Sequence, residues 1–370
     1  MVNHNTYFTV VGAGHGGKAM AAYLSLAGYK VALYNRTDVH ITAIRARGGI
    51  QLSSADEASP QGFGTLDRVT SDMQEALMGA NVIMVVVPAC AHRDIAAAMA
   101  PHLEDGQTVV LNPGRTCGAI EFHHVLRQEG CTSKIVLAET GTFIYASRSD
   151  GPAQARIFRV KDAVPLAALP ASDTEKALEA LHHAYPQFID GRDVLHTSLN
   201  NMGAVFHPAL TLLNAGRIES TLGDYQFYVD GVTPSVARVL ETIDRERVTV
   251  AAALGIRGTT AIEWLKLAYD ARGSTLHEAI HNNPGYYGIN APPNLEHRYI
   301  FEDVPMSLVP IAALGQQYGV QTRAIESIIR LACVIHRTDY WRKGRTVDKL
   351  GLDNLSVNEI SAYVQEGILP

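Results

Sequence analysis

Cysteine is scarce in this chain, with four residues in 370 (Cys90, Cys117, Cys131 and Cys333) and none at metal-binding or redox spacing. That excludes a disulfide-stapled secreted domain and a cysteine-based zinc centre, and it reads as reduced thiols in a cytoplasmic protein. Long apolar runs are missing too, since none approaches the roughly 18–20 residues a membrane span needs. The first strand begins by Tyr7, so no secretory leader is expected ahead of it. Positive charge is not in excess: 31 Lys and Arg stand against 37 Asp and Glu, a formal net charge of −6. The basic residues cluster only at Trp341-Arg342-Lys343-Gly344-Arg345. This leaves no electrostatic footprint for nucleic acid or an anionic membrane, and small molecules are the expected partners. Internal repeats and low-complexity tracts are also lacking.

What is present is ample apolar material: 47% of residues are hydrophobic. The chain is longer than the about 250–300 residues at which a single core stops growing, so two domains are expected. The first announces itself at Phe8-Thr9-Val10-Val11-Gly12-Ala13-Gly14-His15-Gly16-Gly17, strand-forming residues running into Gly-x-Gly-x-x-Gly and then an apolar-periodic helix to Leu26. In that context Gly12 permits the turn, Gly14 admits a pyrophosphate, Gly17 lets helix meet sheet, and the helix start through His15 and Gly16 offers N–H groups to phosphate.

Strand two, Lys30 to Tyr34, ends in Tyr34-Asn35-Arg36-Thr37, where an NAD site usually carries Asp or Glu for the ribose. A guanidinium there suits a 2′-phosphate, so NADP(H) is favoured over NAD(H), with Asn35, Arg36 and Thr37 at the adenosine end. Asp38 is the nearest carboxylate that could still reach a ribose. A hairpin-like region follows over 48–69, and then the unalternating run Val82 to Val87, as a buried central parallel strand should read. Pro88 closes that strand and Asn112 closes the next, Thr108 to Leu111, both where an open sheet binds ligand. Ile135 to Thr140 and a late antiparallel strand, Ala155 to Val160, complete the sheet signals. Ser172-Asp173-Thr174-Glu175 reads as a capping box opening a helix over 173–184. The expectation is α/β plus all-α: a Rossmann dinucleotide-binding domain over 1–190, then an all-helical substrate and catalytic domain over 191–370.

In that second half a helix is expected from Leu195 to Arg217. It carries Asn200, Gly203, His207, Thr211 and Asn214 at steps of three and four, a polar stripe on an otherwise apolar helix. Buried polar groups need partners, and a ligand cleft supplies them. Pro208 removes an N–H and should kink the helix beside His207. Further on, Arg298-Tyr299-Ile300-Phe301-Glu302-Asp303-Val304-Pro305 places Asp303 at a helix start, as a cap or as a functional carboxylate. Arg298 would reach the same cleft if the residues between them are extended, and its planar fork suits a carboxylate substrate. Asn201 beside Asn200, and Tyr225, are further candidates for the substrate pocket, while His92 and Asn112 could line the nicotinamide side. His123-His124 and His182-His183 lack partners at ligand spacing, so no metal is expected.

The chain resembles the octopine/nopaline (opine) dehydrogenase family, and within it bacterial enzymes of the N-(1-carboxyethyl)-norvaline dehydrogenase type. The resemblance runs through Val87-Pro88-Ala89, Leu111-Asn112-Pro113-Gly114, Ala138-Glu139-Thr140, Leu195-His196-Thr197-Ser198-Leu199, His207-Pro208, Gly231-Val232-Thr233-Pro234-Ser235-Val236, and Arg298-Tyr299 to Val304. It implies a Rossmann domain, a helical domain, an active site between them, and NAD(P)H-driven reductive condensation of an amino acid with a 2-oxo acid such as pyruvate. It further implies His207 as general acid/base, Asp303 as the carboxylate that orients it and stabilises its charged form, and Arg298 as the anchor of the 2-oxo acid. Proton delivery near neutral pH fits histidine. Gly203 stands where relatives carry Asn, and Tyr34-Asn35-Arg36 replaces the acidic strand end of NAD-using members. A simple 2-oxo acid reductase of ketopantoate-reductase-like architecture, or a non-catalytic dinucleotide sensor, are the competing expectations; a homodimer follows the common twofold habit.

Overall fold

The computed structural model describes residues 6–55 and 59–369, so that residues 56–58 of the hairpin-like region lie outside the description. Two compact units emerge.

The first comprises residues up to Gly114, then Gly118–Thr197, and the chain from Ala362 onward. Among the described residues twelve strands follow one another: β1 (Tyr7–Val11), β2 (Lys30–Tyr34), β3 (Gly49–Ser54), β4 (Gly62–Thr65), β5 (Arg68–Thr70), β6 (Val82–Val85), β7 (Thr108–Leu111), β8 (Val136–Thr140), β9 (Tyr145–Gly151), β10 (Gln154–Val160), β11 (Val164–Leu169) and β12 (Phe188–Asp190). Eight of them form one sheet in the order β12-β11-β8-β7-β6-β1-β2-β5. Its central strands are parallel, in the register Phe8↔Val31 and Phe8↔Val82, and only the β11–β8 pair is antiparallel. All four residues of β6 are buried, which is why that strand shows no alternation. The strand expected over Ala155–Val160 forms, but in a separate four-stranded sheet, β4-β3-β10-β9. It is antiparallel to β9 and parallel to β3. The helix His15–Leu26 packs against both sheets.

Gly17 sets how closely that helix lies on β1: a Cβ built there would fall 1.7 Å from the Gly12 carbonyl oxygen. Gly17→Ala should therefore push helix and strand apart, at the 1–3 kcal/mol or so typical of overpacking, and weaken dinucleotide binding with it. A thermal melt and an NADPH fluorescence titration check this; an unchanged melting point and Kd would disprove so close a packing.

The second unit holds Arg115–Cys117 and Ser198–Ser361. It is helical throughout, apart from one isolated bridge between Gln226 and Asn290. Compactness puts the boundary inside the helix Val194–Leu199, after Thr197, and the helix Val357–Glu366 carries the chain back into the first unit from Ala362. The long helix expected over Leu195–Arg217 is three: Val194–Leu199, Met202–Leu213 and Ala215–Thr221. Asn201 causes the first break by turning its Oδ1 to accept the Gly203 N–H at 3.2 Å as an N-cap. The second helix runs on through Pro208. Thr233 and Thr260 cap Pro234–Ala253 and Ala261–Tyr269, the latter with a complete capping box. The box expected at Ser172–Glu175 does not form: Ala171–Asp173 is a tight 3-10 turn, so the helix begins at Thr174 with Asp173 at its N-cap, and Asp173 makes no side-chain capping bond. Among the described residues no helix is long and apolar enough to cross a membrane.

Candidate active site

In the first unit, the C-terminal ends of β1, β2 and β6 enclose a cavity of about 290 Å³ lined by Gly12, Ala13, Gly14, Tyr34 to Thr37, His40, Val86 to Pro88, Ala91, Asp94 and Ile95. Gly12 has φ +114°, and a Cβ on it would meet the Val86 carbonyl oxygen at 2.4 Å. Gly14 is the opposite case: its Cβ would meet nothing within 4 Å. Open space thus faces the start of a twelve-residue helix, whose first N–H groups have no intrahelical acceptor. These residues fit a dinucleotide pyrophosphate. A larger depression of about 600 Å³ beside Ala171 to Leu178 carries no such fingerprint.

Asn35 spends its side chain on the loop itself, accepting the Ala13 N–H at 3.1 Å and donating to the Thr37 carbonyl at 2.9 Å. Arg36 is exposed and stands 3.5 Å from Asp94, while Asp38 is bound to Arg45 at 2.7 Å and to Ser71 at 3.3 Å. That hydrogen bond to Arg45 is what holds the Asp38 carboxyl below its ordinary range. Asp94 lies 58 residues from Arg36, and only the fold sets the two side by side. His15 accepts the Ser149 N–H at 2.9 Å, and Pro88 starts the turn that follows β6. Gly16 lies against Phe143, whose ring a Cβ would reach at 2.6 Å. Asn112 donates to the Val110 carbonyl, and its buried Oδ1 has no partner. A buried acceptor of that kind suits a carboxamide N–H.

In the second unit, His207 on Met202–Leu213 donates from Nδ1 to Asp303 Oδ2 at 2.8 Å. Asp303 is wholly buried and makes no capping bond, so the capping role is not the one it plays. Its chain continues as a π-helical turn, Val304–Leu308, into the helix Val309–Gln317. Burial pushes the Asp303 carboxyl up, but the charge of Arg115, then His207 and Arg298, outweighs it and holds the group at about 2. Tyr299 stacks on the imidazole with centroids 4.0 Å apart and planes at 19°, fixing the ring's plane. With Nδ1 committed to a carboxylate, Nε2 is the ring nitrogen left to take or give a proton.

The residues expected between Arg298 and Asp303 are not extended. Arg298–Phe301 is a helical turn, and Arg298 pairs with buried Glu302 at 2.9 Å, one turn on. Half of the Arg298 side chain stays exposed. Asn201 is fully engaged: besides its capping bond it donates to Ser307 at 2.9 Å. Asn200 accepts the Thr259 N–H through Oδ1. Tyr225 packs under the Arg217 guanidinium at 4.2 Å, with a buried, unpartnered hydroxyl. The structure thus brings His207, Asp303 and Arg298 into one charged cluster and adds Arg115, Tyr299 and Glu302. Tyr299 and Glu302 stood inside a recognised motif; Arg115 gave no signal beyond following Asn112-Pro113-Gly114.

Residues 191–336 match the model of the NAD/NADP octopine/nopaline dehydrogenase alpha-helical domain, and residues 7–114 match that of the NAD-dependent glycerol-3-phosphate dehydrogenase N-terminus. An opine dehydrogenase of Arthrobacter sp. (strain 1C) is 40% identical over 365 residues, 99% of this chain and all of that one. Octopine dehydrogenase solved with NADH and L-arginine is 19% identical with a TM-score of 0.80, covering 97% of this chain and 98% of that one. NADP+-bound yersinopine dehydrogenase is 15% identical with a TM-score of 0.72, covering 98% and 99%. The latter two likenesses concern the fold.

Proposed function

This chain belongs to the opine dehydrogenase family, whose reaction is the NAD(P)H-dependent reductive condensation of an amino acid with a 2-oxo acid, and from that premise we propose how its own residues carry the chemistry. The observation that carries the reading is the 2.8 Å bond from His207 Nδ1 to buried Asp303. Joining an amine to a ketone produces a carbinolamine that must lose water, and the resulting C=N nitrogen must be cationic to accept hydride. His207 Nε2 gives the proton that takes the hydroxyl away as water, and recovers one as the amine attacks. Asp303 keeps the Nδ1–H in place and offsets the positive charge the ring acquires. Arg298 holds the 2-oxo acid carboxylate, with Glu302 steadying its guanidinium. When bound, the dinucleotide would supply hydride from its nicotinamide; Gly12 to Gly17 would hold its pyrophosphate, Asn35 to Thr37 its adenosine end, and Pro88 and Asn112 would line the nicotinamide side.

The 2-oxo acid in this reading is pyruvate, which accompanies NADH in one solved structure of octopine dehydrogenase. The amine donor is an apolar amino acid, as in enzymes of the norvaline type. Supporting this, Phe227 stacks on Tyr299, and Tyr228 on Tyr286, within an aromatic cluster beside His207. The four cysteines are free thiols, which supports a reducing, cytoplasmic setting. NADPH and NADH oxidation, followed with pyruvate and a panel of amino acids and with each component alone, tests the substrate reading. Apolar donors should be preferred; a preference for arginine or lysine would overturn that part of it.

The cofactor is NADP(H). Arg36 is the cation at the end of β2, and the nearby carboxylates are each paired, Asp38 with Arg45 and Asp94 with Arg36 itself. Arg36→Ala should lower the NADPH over NADH preference in kcat/KM by about tenfold or more, the loss of one charge-assisted phosphate contact. Asp94→Asn, which frees the guanidinium, should raise it. A preference indifferent to both substitutions would refute the assignment.

A further inference from the structure

Arg115 belongs to a three-residue segment fixed inside the helical unit. Thr116 N–H donates to the Met306 carbonyl at 3.2 Å, and Arg345 donates to the Thr116 carbonyl at 2.8 Å. Cys117 N–H donates to the Ser198 hydroxyl at 2.8 Å. Arg115 and Cys117 both adopt left-handed backbone, with φ 62° and 60°, which side-chain-bearing residues rarely do. A conformation that costs free energy at two positions in three persists only when the surroundings impose it. Here the result is the delivery of one guanidinium to two buried carboxylates: Arg115 Nη1 lies 3.3 Å from Asp303 Oδ1, and Nε lies 3.4 Å from Glu302 Oε1.

Gly203 makes the arrangement possible. A Cβ on it would stand 2.8 Å from Arg115 Nη1 and 3.3 Å from His207 Nδ1, so any side chain there would displace the guanidinium. The absence of a side chain at 203 and the presence of Arg at 115 are thus one feature. The charges also balance. Arg115 and Arg298 face Asp303 and Glu302, leaving His207 as the group whose charge can change without stranding a buried ion. His297 and the phenols of Tyr299 and Tyr228 are the remaining titratable groups around the pair.

We infer that Arg115 is a positioning residue for the acid–base pair: it holds the Oδ1 side of the Asp303 carboxylate so that Oδ2 faces His207 Nδ1. This rests on the His207–Asp303 reading given above. A lysine could supply the charge but not the fork that spans Asp303 and Glu302.

The test measures kcat, both substrate KM values and the pH dependence of kcat/KM for Arg115→Gln, Arg115→Lys, Asp303→Asn, His207→Ala and the Arg115→Gln/Asp303→Asn double variant. Arg115→Gln should lower kcat by about 10–100-fold, the usual effect of removing a group that orients a catalytic one, with the KM for the 2-oxo acid unchanged. Its activity limb should move to higher pH, since losing a neighbouring cation favours the protonated pair. Arg115→Lys should recover only part of kcat. In the Asp303→Asn background Arg115→Gln should cost little more, because both act through one carboxylate. An unchanged kcat and pH profile, an effect confined to KM, or full additivity with Asp303→Asn would each overturn the inference. Should Arg115→Gln fail to fold, a folded Arg115→Lys with wild-type kcat and pH profile would overturn it equally. If instead His207→Ala and Asp303→Asn are themselves near wild type, the acid–base reading has failed rather than the role of Arg115.

Discussion

His207→Ala should lower turnover by about 10²–10⁴-fold, the range over which a positioned general acid/base contributes. The loss should fall on kcat and kcat/KM together, since the proton is needed on the way to the transition state rather than for binding. NADPH affinity should survive, because the residues expected to hold the dinucleotide lie at the ends of β1, β2 and β6, in the other compact unit. The protein should stay folded too. Imidazole and phenol stack at 4.0 Å, but His207 is partly exposed, and the buried acceptor its removal leaves, the Asp303 carboxylate, keeps its ion pair with Arg115. Stopped-flow or steady-state assay with both substrates, beside an NADPH titration, separates these outcomes. Near wild-type turnover would remove His207 from the mechanism.

Asp303→Asn should be nearly as severe, roughly 10²–10⁴-fold in kcat, because the amide can present N–H₂ to Nδ1 and favour the tautomer that places the proton on the wrong nitrogen. Here the structure adds a stability signature. The Asp303 carboxyl is held at about 2 against an ordinary 3.8: burial opposes this, and the charge of Arg115, followed by His207 and Arg298, more than offsets it. A carboxylate depressed in the folded state stabilises the fold above its unfolded pKa and loses that contribution as pH falls through the folded one. Wild type should therefore melt higher than Asp303→Asn at neutral pH. The gap should close as pH drops from 3.8 towards about 2. A gap that stays constant through that window would mean the charge on Asp303 is not what stabilises the unit.

Much of this was legible in the chain. The fingerprint could be read because each glycine answers a distinct geometric demand, and the structure shows Gly12, Gly14 and Gly17 in three different environments. Val82–Val85 could be read because a strand buried on both faces does not alternate. His207 and Asp303 stood out through a polar stripe and a motif. What failed has physical reasons. Periodicity carried the helix straight through Asn200 and Asn201, because an apolar pattern does not register that one side chain has turned back to cap the next helix. Asp303 looked as much like a cap as a catalytic partner, since both roles place a carboxylate at a helix start. Arg115 could not be found at all: the residue it pairs with lies 187 positions away, and only the folded chain brings the two together. Asp94, beside Arg36, is hidden for the same reason.

The pH dependence of kcat/KM, compared between wild type and His207→Ala, tests the central claim most directly, because such a profile reports the groups that must carry or accept the proton. The account predicts a limb in the wild type that disappears from the residual activity of His207→Ala. The same limb persisting unmoved in that variant would show that another group delivers the proton, and would contradict the assignment of His207 and Asp303.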